Sequence, residues 1–252
     1  MKNNIAYQTP QLAQYFSRHR IAWDQFYESE RVIIKQLKLD SDASVLDIGC
    51  GCGGLGLALL EQFGVKNYTG VEINAEAAHA ASSVNPNARI LCGDVLSVSQ
   101  EALHNKLFDV VFSLSCVDWN IQFSDMLTTA WKHVLSGGHM VATFRLTDKE
   151  GCCDFKKSYQ YINYDNILEG ECAAYVVLNA KKIFEELRKF APLQMNAYGY
   201  CGTPSATAVT PYEKLCFVAL SLQKRKDDDD SEERYHFDLP PEIQKVIGFA
   251  PQ

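Results

Sequence analysis

The chain has 252 residues, of which 47% are hydrophobic, with a formal charge of −7 and a pI near 5.4. It is long enough to bury a sizeable core. Its acidic balance, with no Lys/Arg cluster, argues against a broad grip on nucleic-acid phosphates, and no apolar run approaches membrane-spanning length. The nine cysteines are an odd count and the opening MKNNIAYQTPQLAQYF lacks the apolar core of a secretory signal, so the expectation is a cytoplasmic chain with reduced thiols.

The opening segment TPQLAQYFSRHRIAWDQFYESERVIIKQL sets aromatic and apolar residues at helical spacing, which predicts one or two helices, a helical lid over residues 1–40. SVLDIG is a short apolar strand, and GGLGLALLEQFG a helix closed by Gly64 at C′. NYTGVEIN is a second strand, AEAAHAASSV an Ala-rich helix, ARILCGDVLS a third strand. LFDVVFSLS is continuously apolar, as a strand buried on both faces should be. FSDMLTTAWKHVLSGG is a helix ending in Gly-Gly, and HMVATFRL a fifth strand. Alternating strands and helices over residues 41–146 predict βα units and a parallel sheet.

The pattern then changes. Residues 147–178 have no clean period and are too long for an ordinary connection, which points to a substrate loop. A helix with Asn179 as N-cap follows, then two closing strands, LQMNAYGY and KLCFVALSLQK, complete a single domain over 1–225. Residues 226–252 read as an acidic linker and tail around KRKDDDDSEE, with a short helix after Pro240-Pro241. The fold class is α/β: a doubly wound, Rossmann-like, mostly parallel seven-stranded sheet with an antiparallel last strand.

After the first strand, Gly51-x-Gly53-x-x-Gly56 matches a dinucleotide fingerprint. Such glycines permit a tight turn and let a ligand approach without meeting a Cβ. The flanking residues decide which ligand. Asp47, two residues before Gly49, would repel a pyrophosphate over the helix N-terminus. It suits a positively charged cofactor, and S-adenosylmethionine carries an α-ammonium and a sulfonium. The glycines also begin earlier, as Gly49-Cys50-Gly51-Cys52-Gly53. Glu72 ends the second strand, an end expected to face solvent without ligand, where an acid can accept from both ribose hydroxyls, a feature that fits NAD equally. Asp94 follows the third strand, where it can accept from an adenine amino group. Ile73 and Val95 adjoin these two acids. Cys50, Cys52 and Cys92 lack a basic partner and read as small packing residues. Gly56 serves close helix–strand packing.

VLDIGCGCG, GVEIN, GDVLS, FDVVFSLSCVDW and HVLSGGHMVATF, in that order, resemble the class I S-adenosylmethionine-dependent methyltransferases over residues 40–146. Ser136 stands where that family commonly has Pro. The resemblance implies S-adenosylmethionine as cofactor, held by Asp47, Gly49, Gly51, Gly53, Glu72, Ile73, Asp94 and Val95, with Ser115 touching its methionine part. It also implies methyl transfer beyond the carboxyl ends of the strands.

In an open α/β sheet the residues just after strand four face the chemistry. Asp118 is there the candidate general base, with turn-capping as its structural alternative. Arg145, ending strand five, is a candidate for binding an acceptor carboxylate, phosphate or sugar hydroxyl, with a salt bridge to the long loop as its alternative. Trp119 is a candidate wall, Tyr15 and Trp23 are candidate lid residues with core packing as their alternative, and His19 of the same segment is weighed for a catalytic role. No Asn/Asp-Pro-Pro-aromatic element follows strand four, which argues against nucleic-acid amines as acceptors. Asp118, Asn120 and Asp148 match a divalent-metal cluster only loosely, so no metal is expected. What remains is a small or medium polar acceptor with an oxygen nucleophile: a sugar, a glycan precursor or a specialised metabolite. YGYCGTPSATAVTPY and the long loop build its pocket. Two other readings stay open: an inactive cofactor-binding sensor or partner protein, and an NAD-dependent oxidoreductase.

Overall fold

The structure is a computed structural model and describes Ala13, residues 16–163 and residues 165–248, without the side chains of 99–101. A 3-10 turn at Trp23–Gln25 leads into α1 (Glu28–Gln36). The alternating core follows: β1 (Ser44–Ile48), α2 (Gly54–Phe63), β2 (Asn67–Glu72), α3 (Ala75–Val84), β3 (Arg89–Cys92), α4 (Val95–Glu101), β4 (Phe108–Ser113), α5 (Phe123–Lys132) and β5 (Val134–Thr147). Asn74, Asp94 and Asn179 cap helices with their side chains, satisfying amide groups that the first turn leaves unpaired. The α5 helix stops at Lys132, because Val134 already pairs with Phe108 of β4.

The remainder is β6 (Tyr159–Tyr161), β7 (Cys172–Ala174), β8 (Leu178–Asn179), α6 (Ala180–Arg188), β9 (Gln194–Gly202), β10 (Ala208–Val209), β11 (Leu215–Gln223), β12 (Arg234–Asp238) and α7 (Pro241–Ile247). The main sheet runs β12-β9-β11-β5-β4-β1-β2-β3, with β8 added beside β5. β11 is antiparallel to both β5 and β9, and the other pairs are parallel. The sheet therefore has nine strands rather than the expected seven. One addition is β8. The other is β12, inside the segment expected as linker and tail. RYHFD alternates exposed and half-buried residues, and the neighbouring run of charges masks that period in the sequence. Leu239, Ile243 and Ile247 then bury against the same core as α6.

Alternation along the strands divides the core. Leu46, Val111 and Met140 pack with α4, α5, α6 and α7, whereas Val45, Val110 and Phe112 pack with α1, α2 and α3. Helices thus cover both faces, as a buried parallel sheet requires. Strand order reverses between β1 and β4, and the crevice beyond their carboxyl ends is where such folds bind ligands. The long loop is not structureless: β6 and β7 pair, and β10 joins them in a second antiparallel sheet.

Candidate functional site

The turn after β1 is built from left-handed glycines, Gly49 at φ +76°, Gly51 at +54° and Gly53 at +80°. The amides of Gly49 and Cys50 donate to the Val71 carbonyl, which ties the turn to β2. A Cβ on Gly49 would lie 2.4 Å from Cys116 Sγ, whereas one on Gly51 would meet nothing within 4 Å. Gly51 therefore faces open space, a cradle that a side chain would fill. A Cβ on Gly56 would lie 3.0 Å from the Tyr68 ring, so that glycine does serve helix–strand packing.

Asp47 is buried at the end of β1, and Tyr68 Oη donates to its Oδ2 over 2.5 Å. Burial pushes its carboxyl up to about 7, with the Tyr68 hydrogen bond and the charge of Arg20 pulling down. Glu72, expected at a solvent-facing strand end, is instead only 4% exposed. Its Oε2 accepts from the Gly51 amide at 2.8 Å and its Oε1 from the Asn74 amide at 2.9 Å. The carboxylate is drawn inward because it pins the glycine turn to the end of β2. Burial raises its pKa, and the amides of Asn74, Gly51 and Ile73 oppose the rise. Asp94 caps α4, accepting from Leu96 N at 3.0 Å. Cys50 and Cys52 are buried, as packing residues should be, but Cys92 at the end of the edge strand β3 is exposed.

Asp47, Glu72, Ile73, Asp94 and Val95 line one cavity of about 600 Å³. It continues past Ser115 and Asp118 to the acceptor end. Ser115 is left-handed at φ +50°, and its amide donates to Thr143 Oγ1 at 2.6 Å. Asp118, in a 3-10 turn at Val117–Trp119, and Arg145 of β5 meet each other. Arg145 Nε lies 2.8 Å from Asp118 Oδ2 as an ion pair rather than an aligned hydrogen bond. Arg145 Nη2 donates to the Asp118 carbonyl at 2.7 Å. The guanidinium carbon lies 4.4 Å from the centre of the Trp119 ring and 3.8 Å from that of Tyr175, in the corner of two rings that meet at 88°. Asp118 Oδ1 is enclosed without a hydrogen-bond partner among the described residues. Burial pushes the Asp118 carboxyl up while Arg145 pulls it down. Asp118 is thus engaged with Arg145 instead of standing free as a base, and Arg145 reaches Asp118 where a bridge to the long loop was the alternative. The loop supplies Tyr175 as a stacking partner.

Residues 45–138 match the family described as a methyltransferase domain. The fold is shared with solved S-adenosylmethionine-dependent methyltransferases. An uncharacterized methyltransferase of Schizosaccharomyces pombe, C70.08c, is 32% identical over 87 residues, covering 34% of this chain and 32% of that protein. Trans-aconitate 2-methyltransferase of Azoarcus sp. is 24% identical over 115 residues, covering 46% of this chain and 44% of the relative. The chain thus spans less than half the length of these curated relatives. Phosphoethanolamine N-methyltransferase 2 of Haemonchus contortus, solved with S-adenosyl-L-methionine, shares the fold at a TM-score of 0.59, with 12% identity over 86% of this chain and 58% of that one.

The Rossmann-type glycine match is real, yet a solved structure that shares the fold holds S-adenosyl-L-methionine. The acid of β1 and the open cradle at Gly51 fit that group. Asn120, offered with Asp118 and Asp148 as a metal cluster, turns its amide to Met126 Sδ, and among the described residues no three His, Cys, Asp or Glu side chains converge. Trp23 packs edge-on against Phe63, His19 lines the cavity, and Tyr15 lies outside the described residues. Sequence reasoning missed Arg20, Thr143, Tyr175 and Tyr200, which also line the cavity. Tyr200 sits inside the segment expected to build the pocket. Tyr175 stands in a stretch without period, and Thr143 and Arg20 carry no motif.

Proposed function

We propose that the protein transfers a methyl group from S-adenosylmethionine to the hydroxyl of an uncharged, small or medium polar acceptor. The observation that carries this reading is one continuous cavity, acid-walled at one end by Asp47, Glu72 and Asp94 and lined at the other by an ion pair that neutralises itself. When bound, S-adenosylmethionine supplies an electrophilic methyl group on a sulfonium that is also the leaving group. Asp47 would hold its ammonium, Glu72 its ribose hydroxyls and Asp94 its adenine amine. Gly49, Gly51 and Gly53 let the backbone approach, with Ile73, Val95 and Ser115 beside them.

At the acceptor end Arg145 is the candidate catalytic residue and Asp118 positions it. Nη2 donates to the Asp118 carbonyl and Nε sits against Oδ2 as an ion pair, and the guanidinium so held is the group that binds the acceptor oxygen. The flanking rings stop the guanidinium from rotating, and most of the rate comes from alignment. With Asp118 held by Arg145, the hydroxyl proton leaves to water as the O–C bond forms and the C–S bond of the sulfonium breaks. Arg145 attracts an anion and Asp118 repels it. At ~4 Å and an effective dielectric of ~20 each effect is about 4 kcal/mol, so the pair has little net preference for a carboxylate. That separates this cavity from what an aconitate methyltransferase must bind. Gln160, Thr203, Ser205 and Tyr200 complete an amide- and hydroxyl-rich wall suited to a neutral polar molecule.

The test is S-adenosylhomocysteine release with a panel of neutral sugars and phenols set against trans-aconitate. Turnover with a neutral hydroxyl compound is expected. Faster turnover with the tricarboxylate overturns the acceptor class. No binding of S-adenosylmethionine or S-adenosylhomocysteine by calorimetry overturns the activity itself, and also leaves no place for the sensor reading.

A further inference from the structure

Two cysteines stand directly across from each other behind the acceptor wall: Cys201 of β9 is the register partner of Cys216 of β11. Lys224, the residue after β11, donates its amide to the Gly138 carbonyl of β5 at 2.8 Å. Amides along an antiparallel strand turn alternately to its two neighbours. Cys216, an even number of residues earlier in an unbroken register, therefore also turns its amide to β5. Toward β9 it occupies a non-hydrogen-bonded position, the closer kind, with Cα atoms about 4.5 Å apart. Side chains of such a pair share one face of the sheet. Cys201 Sγ donates to Glu242 Oε1 of α7 at 3.2 Å, and Cys216 is buried in the core that Ile243 and Ile247 of α7 share. Cys216 Sγ leans over Gly199, where a Cβ would lie 3.1 Å from it, so glycine at 199 gives the sulfur room to turn about χ1. Cysteines in the other ladders face different residues: Cys92 faces Glu72, Cys172 faces Tyr161 and Cys152 faces Val177.

A disulfide accepts Cα separations of about 4.4–6.8 Å, so this pair can close without parting its strands. We propose that Cys201 and Cys216 are a site of reversible thiol–disulfide exchange with a small disulfide of the glutathione type. Cys201 is half-buried and within reach of solvent, whereas Cys216 is buried. The Cys201 thiolate attacks one sulfur of the small disulfide, forms a mixed disulfide and expels one thiolate. Cys216 then attacks the Cys201 sulfur and expels the second. The two protons of the protein thiols end on the two released thiols, so the protein pair is oxidised and the small disulfide reduced. A separation at the short end of the range strains the new bond, and strained disulfides are the ones that free thiols reopen. Burial and the Glu242 carboxylate hold the Cys201 thiol above its ordinary value while Lys214 pulls it down, and burial pushes Cys216 up to about 12. Exchange needs the thiolate, so its rate should climb about tenfold per pH unit through the neutral range. Tyr200 and Phe217, next to the two cysteines in the chain, line the cavity with their rings 6.0 Å apart. The disulfide thus staples that wall from behind.

The experiment incubates the full chain with glutathione disulfide, quenches with acid, alkylates the remaining thiols and maps the peptides by mass spectrometry. A peptide pair joined through Cys201 and Cys216 is expected, short of the reduced pair by two hydrogens, and excess reduced glutathione should restore both thiols. In Cys216→Ala the second step is lost, so glutathione should stay on Cys201 where the parent carries none. In Cys201→Ser the buried Cys216 should remain a free thiol. The oxidised parent should melt at a higher temperature than the reduced one, because the link restricts the unfolded chain, and Cys201→Ser should show no such shift. If Cys216→Ala fails to fold, the parent's peptide map and Cys201→Ser decide alone. Both thiols left open to alkylation after treatment, Cys201 joined to another cysteine, or a glutathione adduct persisting on Cys201 of the parent each overturn the proposal. So does an oxidised form that melts below the reduced one, which would mean that the ladder does not fit the bond. None of these readouts depends on the methyl-transfer reading.

Discussion

The two ends of the cavity are built on different principles. At the cofactor end, acids bind backbone: Glu72 takes amides from Gly51 and Asn74, and Asp94 caps α4. At the other end, side chains bind one another: Asp118 pairs with Arg145, whose guanidinium lies against the rings of Trp119 and Tyr175. The first end is local geometry that any chain with the right turns can make. The second needs segments far apart in sequence to converge, and it is where one methyltransferase can differ from another without disturbing the fold.

The comparison breaks most visibly if one partner of the acceptor-end pair is removed. Asp118→Ala leaves Arg145 charged, buried and unpaired, and should lower unfolding free energy by about 3–5 kcal/mol. The double change Asp118→Leu with Arg145→Met should recover most of that stability while abolishing turnover. Denaturant titration of the single and double variants checks both, and single-turnover assays check the loss. Neither variant should change S-adenosylhomocysteine affinity more than severalfold if the two ends are independent.

Glu72→Ala probes the other end. It removes charge-assisted bonds worth roughly 1.5–3 kcal/mol each, so S-adenosylhomocysteine affinity should fall about 100-fold or more by calorimetry. Because Glu72 also pins the Gly51 amide, the melting temperature should fall too. Glu72→Gln should be milder on both counts. A variant that binds like the parent would show that the ribose is held elsewhere.

The charge of Asp47 gives the cofactor end a pH signature. Its pKa is raised to about 7, so the folded protein keeps a proton that the unfolded chain loses in the ordinary carboxylate range. By the sign of that difference, this group's contribution makes ligand-free stability fall as pH rises from about 4 to about 7. Binding the ammonium favours the ionised form, so cofactor affinity should rise as pH increases through 7 and level off above it. Calorimetry in buffers of different ionisation enthalpy should show a proton released on binding below pH 7. In Asp47→Asn the slope should vanish.

The smallest expected effect separates two neighbouring glycines. Gly51→Ala meets open space and should cost only the left-handed strain, about 1–2 kcal/mol, yet it should weaken cofactor binding because its methyl enters the cradle. Gly49→Ala adds a collision with Cys116 to similar strain and should destabilise the ligand-free protein more. Thermal melts with and without S-adenosylhomocysteine rank the two.

Much of the cofactor half was determined by the sequence itself. Strand, turn and helix signals from Ser44 to Thr147 are local, and Asp47, Glu72 and Asp94 stand at strand ends where such folds open their crevice. The caps Asn74 and Asn179 likewise act on residues within a few positions of themselves. Tertiary structure alone decided the rest. Asp118 and Arg145 are 27 residues apart, and nothing in their spacing shows that each occupies the other. Glu72 was read as exposed because its burial depends on a turn 21 residues earlier. The Arg20–Glu30 ion pair and the ring of Tyr175 follow the same logic, and β12 was hidden by the charges beside it. Periodicity and turn chemistry are short-range consequences of backbone geometry, whereas pairing between side chains depends on distances that exist only after the sheet has formed.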